Sequence, residues 1–185
     1  INTSKRTGME WLLSIIVMVN SFIGFDFSDP EEIDRWRVIN DNVMGGISKG
    51  NMQAEDDHLL FTGRLSLENN GGFASIRAPY AKYDLSEFDG VEIECSGEGG
   101  EFALVLENHR EWYRPTFRAT FSPEGEWKTF RIPMEEFRQF VVGRERPGDF
   151  STALRENVIR MGIVKGDKNT DPFSLRLRQI RFYVD

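Results

Sequence analysis

The segment from Trp36 to Gly50 reads Trp-Arg-Val-Ile-Asn-Asp-Asn-Val-Met-Gly-Gly-Ile-Ser-Lys-Gly. It sets an Asn40-Asp41-Asn42 triplet, an apolar Val43-Met44 pair and a Gly45-Gly46 pair side by side. Asn and Asp side chains bond back to nearby main chain and tolerate left-handed dihedrals, and glycine takes positive φ without steric cost. Such a loop holds side-chain oxygens and bare amides at fixed places. Those groups serve either a binding surface or a scaffold in which buried Asn and Asp satisfy loop amides. Val43 and Met44 are expected to plug the loop into the core.

Other patterns have residue types that could do chemistry. Gly46-Ile-Ser-Lys-Gly50 matches the G-x-S-x-G elbow of serine hydrolases, where the serine sits between a buried strand and a helix. Here turn residues precede the match, Gly50-Asn51 follows it, and His58 and His109 are the only histidines, so the match reads as accidental. Asp167-x-Asn169-x-Asp171 has the oxygen spacing that opens a calcium loop, but Pro172 replaces the turn glycine and Arg178 stands where the bidentate Glu belongs. A solvated Asx turn is the better reading, and a calcium site built on backbone carbonyls is the alternative. No phosphate-binding G-x-x-x-x-G-K-[ST] and no Cys/His metal set occurs, so no catalytic residue, metal or cofactor is assigned. Arg114, Thr116 and Arg118 share one face of an alternating stretch, with Trp112 and Tyr113 at its end. Guanidinium forks suit carboxylate or carbohydrate oxygens, and aromatic rings offer stacking surfaces. The favoured reading is an ordinary solvated face, its arginines paired with acidic neighbours such as Glu92 and Glu94.

These residues need elements to position them. The 185 residues suffice for one domain with a real core. The net charge of −7 argues against nucleic acid as a partner, which needs a basic footprint. The single cysteine, Cys95, excludes an intramolecular disulfide and, beside Val91 and Ile93, reads as a buried strand position. Trp11 to Ile23 is almost wholly apolar and follows Lys5 and Arg6. Residues 1–24 are therefore either a signal or anchor, implying export or membrane tethering, or a terminal element covering the core of a cytoplasmic protein.

Residues 25–185 are expected to form a single jelly-roll domain. Asp29-Pro30-x-Glu32 signals a short helix, with Asp29 as cap and Glu32 closing a capping box. Period-two alternation then recurs: Leu59, Phe61, Leu65 and Leu67; Val91, Ile93 and Cys95; Tyr113, Phe117, Ala119 and Phe121. Asn69-Asn70-Gly71-Gly72 marks a turn, Met134 to Phe140 a helical turn or two, and Val141 to Asn157 a long connection. In the last strand the apolar phase slips between Leu177 and Ile180, which predicts a bulge. About ten short strands with no long helix give an all-β sandwich or jelly roll.

Two segments together resemble the complex I intermediate-associated protein 30 family: Trp36 to Gly50, and Phe61-Thr-Gly-Arg-Leu-Ser-Leu-Glu-Asn-Asn-Gly-Gly-Phe-Ala-Ser-Ile-Arg77. Weaker similarity extends from about Phe25 to Tyr183. The resemblance implies a galactose-binding-like jelly roll. It also implies a non-enzymatic assembly factor, since mitochondrial members assist assembly of the membrane arm of NADH:ubiquinone oxidoreductase. The expected partner is then a protein, such as a subunit of a membrane or respiratory complex. The alternative is a carbohydrate or other small-ligand module. Binding candidates are Asp41, Asn42, Asn70, Arg77, Tyr113 and Arg118. Whether Asp41 and Arg77 face a cleft or bond each other inside decides between surface and scaffold.

Overall fold

The computed structural model describes residues 23–185, and the 1–24 leader lies outside them except for Ile23 and Gly24. Two antiparallel sheets pack face to face as a β-sandwich of the jelly-roll type. The six-stranded sheet runs β3 (Lys49–Glu55), β4 (His58–Arg64), β13 (Pro172–Tyr183), β6 (Gly90–Glu98) and β9 (Lys128–Pro133), and β1 (Gly24–Asp26) also pairs with β13. The seven-stranded sheet runs β11 (Arg144–Arg146), β10 (Arg138–Val141), β8 (Thr116–Phe121), β7 (Phe102–Glu107), β12 (Arg160–Lys165), β5 (Ala74–Arg77) and β2 (Arg37–Asn40). Among the described residues, helices are confined to α1 (Pro30–Arg35), α2 (Thr152–Arg155) and three short 3₁₀ turns.

Alternation drives this arrangement. Leu59 and Phe61 of β4, Val91, Ile93 and Cys95 of β6, and Leu104 and Leu106 of β7 are all buried, as are Phe117, Ala119 and Phe121 of β8 and Met161 and Ile163 of β12. Burial also pushes the Cys95 thiol up to about 12, which leaves it an inert core side chain. The bulge in β13 is present: its register to β6 shifts between Leu177 and Gln179. The extra residue, Arg178, lets Leu175, Leu177, Ile180 and Phe182 all face inward. It also divides the strand between partners, since β4 pairs up to Leu177 and β1 takes over at Gln179.

Asp29 caps α1 as expected, accepting from the Glu31 amide at 2.9 Å. Glu32 does not close a capping box. Its carboxylate accepts from the Trp36 indole at 3.1 Å and from Arg35 at 2.9 Å, because the buried Trp36 N–H needs a partner. Trp36 itself packs edge-on between Phe25 and Phe27, with ring centroids 5.0 and 5.1 Å away.

Four local expectations are corrected. Leu67 does not continue the β4 face, since that strand ends at Arg64 and Leu67 is half exposed. Tyr113 lies in the loop before β8, not on the strand with Phe117. Only Met134–Glu136 is helical, and Phe140 belongs to β10, which gains its hydrogen bonds from β8. The 141–157 connection contains β11 and α2, with Val142 (φ 48°) and Gly143 (φ 72°) forming the β10–β11 turn.

Gly63 on β4 lies opposite Gly50 on β3, and a Cβ there would sit 2.1 Å from the Lys49 carbonyl and 2.8 Å from the Phe173 ring. Gly63→Ala should therefore destabilise the domain by about 1–3 kcal/mol through overpacking. Urea denaturation checks this, and an unchanged midpoint contradicts it.

Candidate functional site

The two glycine-rich segments meet at one carboxylate. Asp41, fully buried, opens a 3₁₀ turn (Asp41–Met44) that follows β2. Its Oδ1 accepts from the Ser48 amide at 2.9 Å; its Oδ2 accepts from the amides of Gly72 at 2.7 Å and Phe73 at 3.3 Å. The Asp41 amide in turn donates to the Phe73 carbonyl at 3.2 Å. Two glycines make room for this carboxylate. A Cβ on Gly46 would lie 2.3 Å from Asp41 Cγ, and one on Gly71 2.6 Å from Oδ2. Gly45 (φ 88°), Asn69 (φ 54°) and Asn70 (φ 59°) take the left-handed dihedrals that the two turns require.

Ser48 completes the joint. Its hydroxyl donates to the Ser66 carbonyl at 3.3 Å and accepts from the Ser66 amide at 2.9 Å. The serine of the G-x-S-x-G match is thus a buried bracket between the loops. Burial pushes the Asp41 pKa up, but hydrogen bonds from Ser48 and from the Gly72 and Phe73 amides outweigh it. The net value lies below the ordinary 3.8.

The bracketed loops turn apolar side chains outward. Val43 is 70% and Met44 53% exposed, so they do not plug the core as expected; the 3₁₀ turn buries Asp41 and points the next residues to solvent. Ile47, which the sequence reading did not single out, is 49% exposed, and Leu67, expected on the face of a strand, is 50% exposed. Each precedes or follows a serine of the Ser48–Ser66 bracket. The signal for them is an apolar residue beside a polar residue that needs burial. Asn42 and Asn70 are exposed on the same loops.

Arg77 does not bond Asp41. It lies on the outward face of the seven-stranded sheet and donates to Glu107 at 2.7 Å, while Arg160 donates to the same carboxylate at 2.9 Å. Arg118 shares that face, with two strands between it and Arg77, and Tyr113 is exposed in the loop beyond it. The pairing expected for Arg118 does not occur. Glu92 bonds Arg131 and Arg181, and Glu94 bonds Arg178, all on the other sheet. Glu107 and Arg160 escaped the sequence reading; their signal is charge at outward positions of otherwise apolar strands.

The Asp167-x-Asn169-x-Asp171 turn is occupied by an internal cation. The fully buried Lys165 ammonium bonds Asp167 Oδ2 and, at 3.3 Å, the Glu101 carbonyl. Asp167 and Asn169 accept from amides two residues on, as Asx turns do. A separate cleft of about 900 Å³ opens between the β10–β11 hairpin and residues 147–155, over Met134, Phe137 and Phe150; none of the sequence candidates lines it.

This geometry can be set beside known proteins. The family model described as complex I intermediate-associated protein 30 matches residues 25–177. The chain belongs to that family. The mouse (Mus musculus) mitochondrial protein of that name is 23% identical over 195 residues, a match that covers 94% of this chain. The chain spans 59% of that relative's length. The family 11 carbohydrate-binding module of a cellulosomal cellulase of Clostridium thermocellum has a similar fold, with a TM-score of 0.65 at 15% identity over 89% of this chain and 95% of that one. A family 11 module from the same organism, in complex with a β-1,3-1,4-mixed-linked tetrasaccharide, has a TM-score of 0.60 at 14% identity over 86% and 95% of the two chains. At such identities the likeness is one of fold. For this member of the family, both signature segments converge on Asp41.

The Asp41 carboxylate, with its pKa lowered in the folded state, adds stability above pH 3.8 that disappears as pH falls through the folded value. Asp41→Asn sets an amide NH₂ against backbone donors and should cost about 1–3 kcal/mol at neutral pH. Denaturation against pH should show the gap to wild type narrowing below 3.8. A gap that stays constant contradicts the assignment.

Proposed function

We propose that this chain is a non-enzymatic protein-docking module of the assembly-factor kind, and that it docks through the loops bracketed by Asp41. The observation that carries this reading is the exposure of Val43, Met44, Ile47 and Leu67 on two loops joined by buried hydrogen bonds. Single exposed apolar residues are ordinary, but a group held out on a rigid support suits a partner's apolar surface. Rigidity lowers the ordering cost of binding. The family relationship directs the search to a protein subunit of a respiratory or other membrane complex, since the mouse relative's name associates it with a complex I intermediate. Non-enzymatic action is supported by Ser48, whose hydroxyl is engaged on both sides by Ser66.

A second reading, a carbohydrate or other small-ligand module, draws support from the fold likeness and from Trp112 and Tyr113, exposed at the end of the arginine-bearing face. Against a neutral sugar on that face, two guanidinium groups already lie over the Tyr80 ring, Arg110 at 4.1 Å and Arg160 at 4.3 Å.

A photo-crosslinking residue at Met44 of the full chain, in its own cells, tests the docking reading. The same residue at the exposed Glu124 is the control. The expected result is an adduct with a membrane-complex subunit from position 44 alone, lost when Ile47→Asp and Leu67→Asp are added at unchanged melting temperature. No adduct, or the same adducts from position 124, overturns the reading.

A further inference from the structure

The outward face of the seven-stranded sheet carries more positive charge than it neutralises. One row across the strands reads Arg77, Gly162, Val105, Arg118 on β5, β12, β7 and β8. The neighbouring row places Arg160 beside Glu107 and Thr116. Gly162 is glycine for a reason of space: a Cβ there would sit 2.4 Å from Arg77 Cδ. The Arg77 stem therefore lies across β12 and reaches Glu107 on the strand beyond. Between Arg77 and Arg118 the floor is only Gly162 and the buried Val105. Both residues are closed to solvent, so the partly exposed Arg77 and Arg118 side chains form the surface over them.

Among the described residues, the one carboxylate bonded to Arg77, Arg118 or Arg160 is Glu107, itself 7% exposed. Both its oxygens are taken, by Arg77 and by Arg160. Arg118 is left with Thr116 Oγ1 at 3.4 Å and the Phe140 ring, 4.9 Å from its Cζ. A guanidinium carries five N–H donors, so most of Arg118's point to no described partner. Desolvation, together with repulsion from Arg160 and Arg118, pulls Arg77 down to about 10 against the attraction of Glu107; burial also lowers Arg118. Crowding poorly solvated cations around a saturated carboxylate is costly unless an anion completes the set.

We propose that Arg77, Arg118 and Arg160 form a binding site for a small ligand bearing an oxyanion, carboxylate or phosphate, held at the surface by their guanidinium groups. The planar forks of arginine match both groups with paired, charge-assisted hydrogen bonds. The site uses none of the residues of the Asp41 loops, so the outcome of crosslinking at Met44 does not bear on it. It sharpens the small-ligand reading by requiring negative charge on the ligand.

Isothermal titration calorimetry of the full chain with sodium glucuronate, inorganic phosphate and glucose tests this. Saturable binding of glucuronate or phosphate, weakening with added salt, is expected, with no heat from glucose. Glucuronate alone identifies a carboxylate ligand and phosphate alone a phosphorylated one. Arg118→Gln should weaken binding roughly tenfold or more, and Arg118→Lys, which keeps the charge but not the fork, should lie between. Both variants should melt within a few degrees of wild type; if Arg118→Gln does not fold, Arg118→Lys carries the comparison. No saturable binding by either anion, equal binding of glucose, or affinity unchanged in the variants overturns the proposal.

Discussion

A carboxylate shut away from water must find its hydrogen bonds inside the protein, and Asp41 finds three backbone amides on two loops. The identities around it follow. Gly46 and Gly71 are bare because the carboxylate occupies the space of a side chain. Ser48 and Ser66 bond each other because the turn buries Ser48. The exposure of Val43, Met44 and Ile47 is the other side of the same geometry: a tight turn that points Asp41 inward points its neighbours outward. The proposed docking surface and the internal scaffold are two faces of one joint.

The sandwich supplies the support. β2 delivers Asp41 and β5 leaves from Phe73, and the two strands pair along Arg37–Asn40 and Ala74–Arg77. The loop ends are thereby held by a ladder as well as by the carboxylate. Elsewhere, two cations set into the sandwich find carboxylates. Arg178 at the bulge bonds Asp57 at 2.8 Å and Glu94 at 2.7 Å, and Lys165 is neutralised by Asp167. On the outward face of the seven-stranded sheet Arg77 and Arg160 share Glu107, and Arg118 has no carboxylate among the described residues.

Much of this was legible in the chain. Alternation at Val91, Ile93 and Cys95 gave the buried faces correctly, and the phase slip after Leu177 located the bulge, because a sheet's period of two makes an inserted residue visible. The asparagines at 69 and 70 announced their left-handed turn. The β10–β11 hairpin stayed hidden because its turn is Val142-Gly143, in place of the Asn-Gly or Asp-Gly that usually marks such dihedrals. β10 is only four residues long, too short for a period to declare itself. The direction of Val43 and Met44 was misread because apolarity suggests burial, whereas the turn geometry decides it. The cluster on the seven-stranded sheet joins residues from positions 77, 107, 118 and 160, and only strand order brings them together.

The account stands most directly on the claim that one carboxylate couples two loops. Amide hydrogen exchange resolved at Ser48, Gly72 and Phe73 measures that coupling. In wild type all three should exchange slowly, and in Asp41→Asn all three should quicken together while amides in the β6–β13 ladder keep their rates. If Ser48 quickens alone, or if none of the three changes, the loops are held independently of Asp41 and the central claim fails.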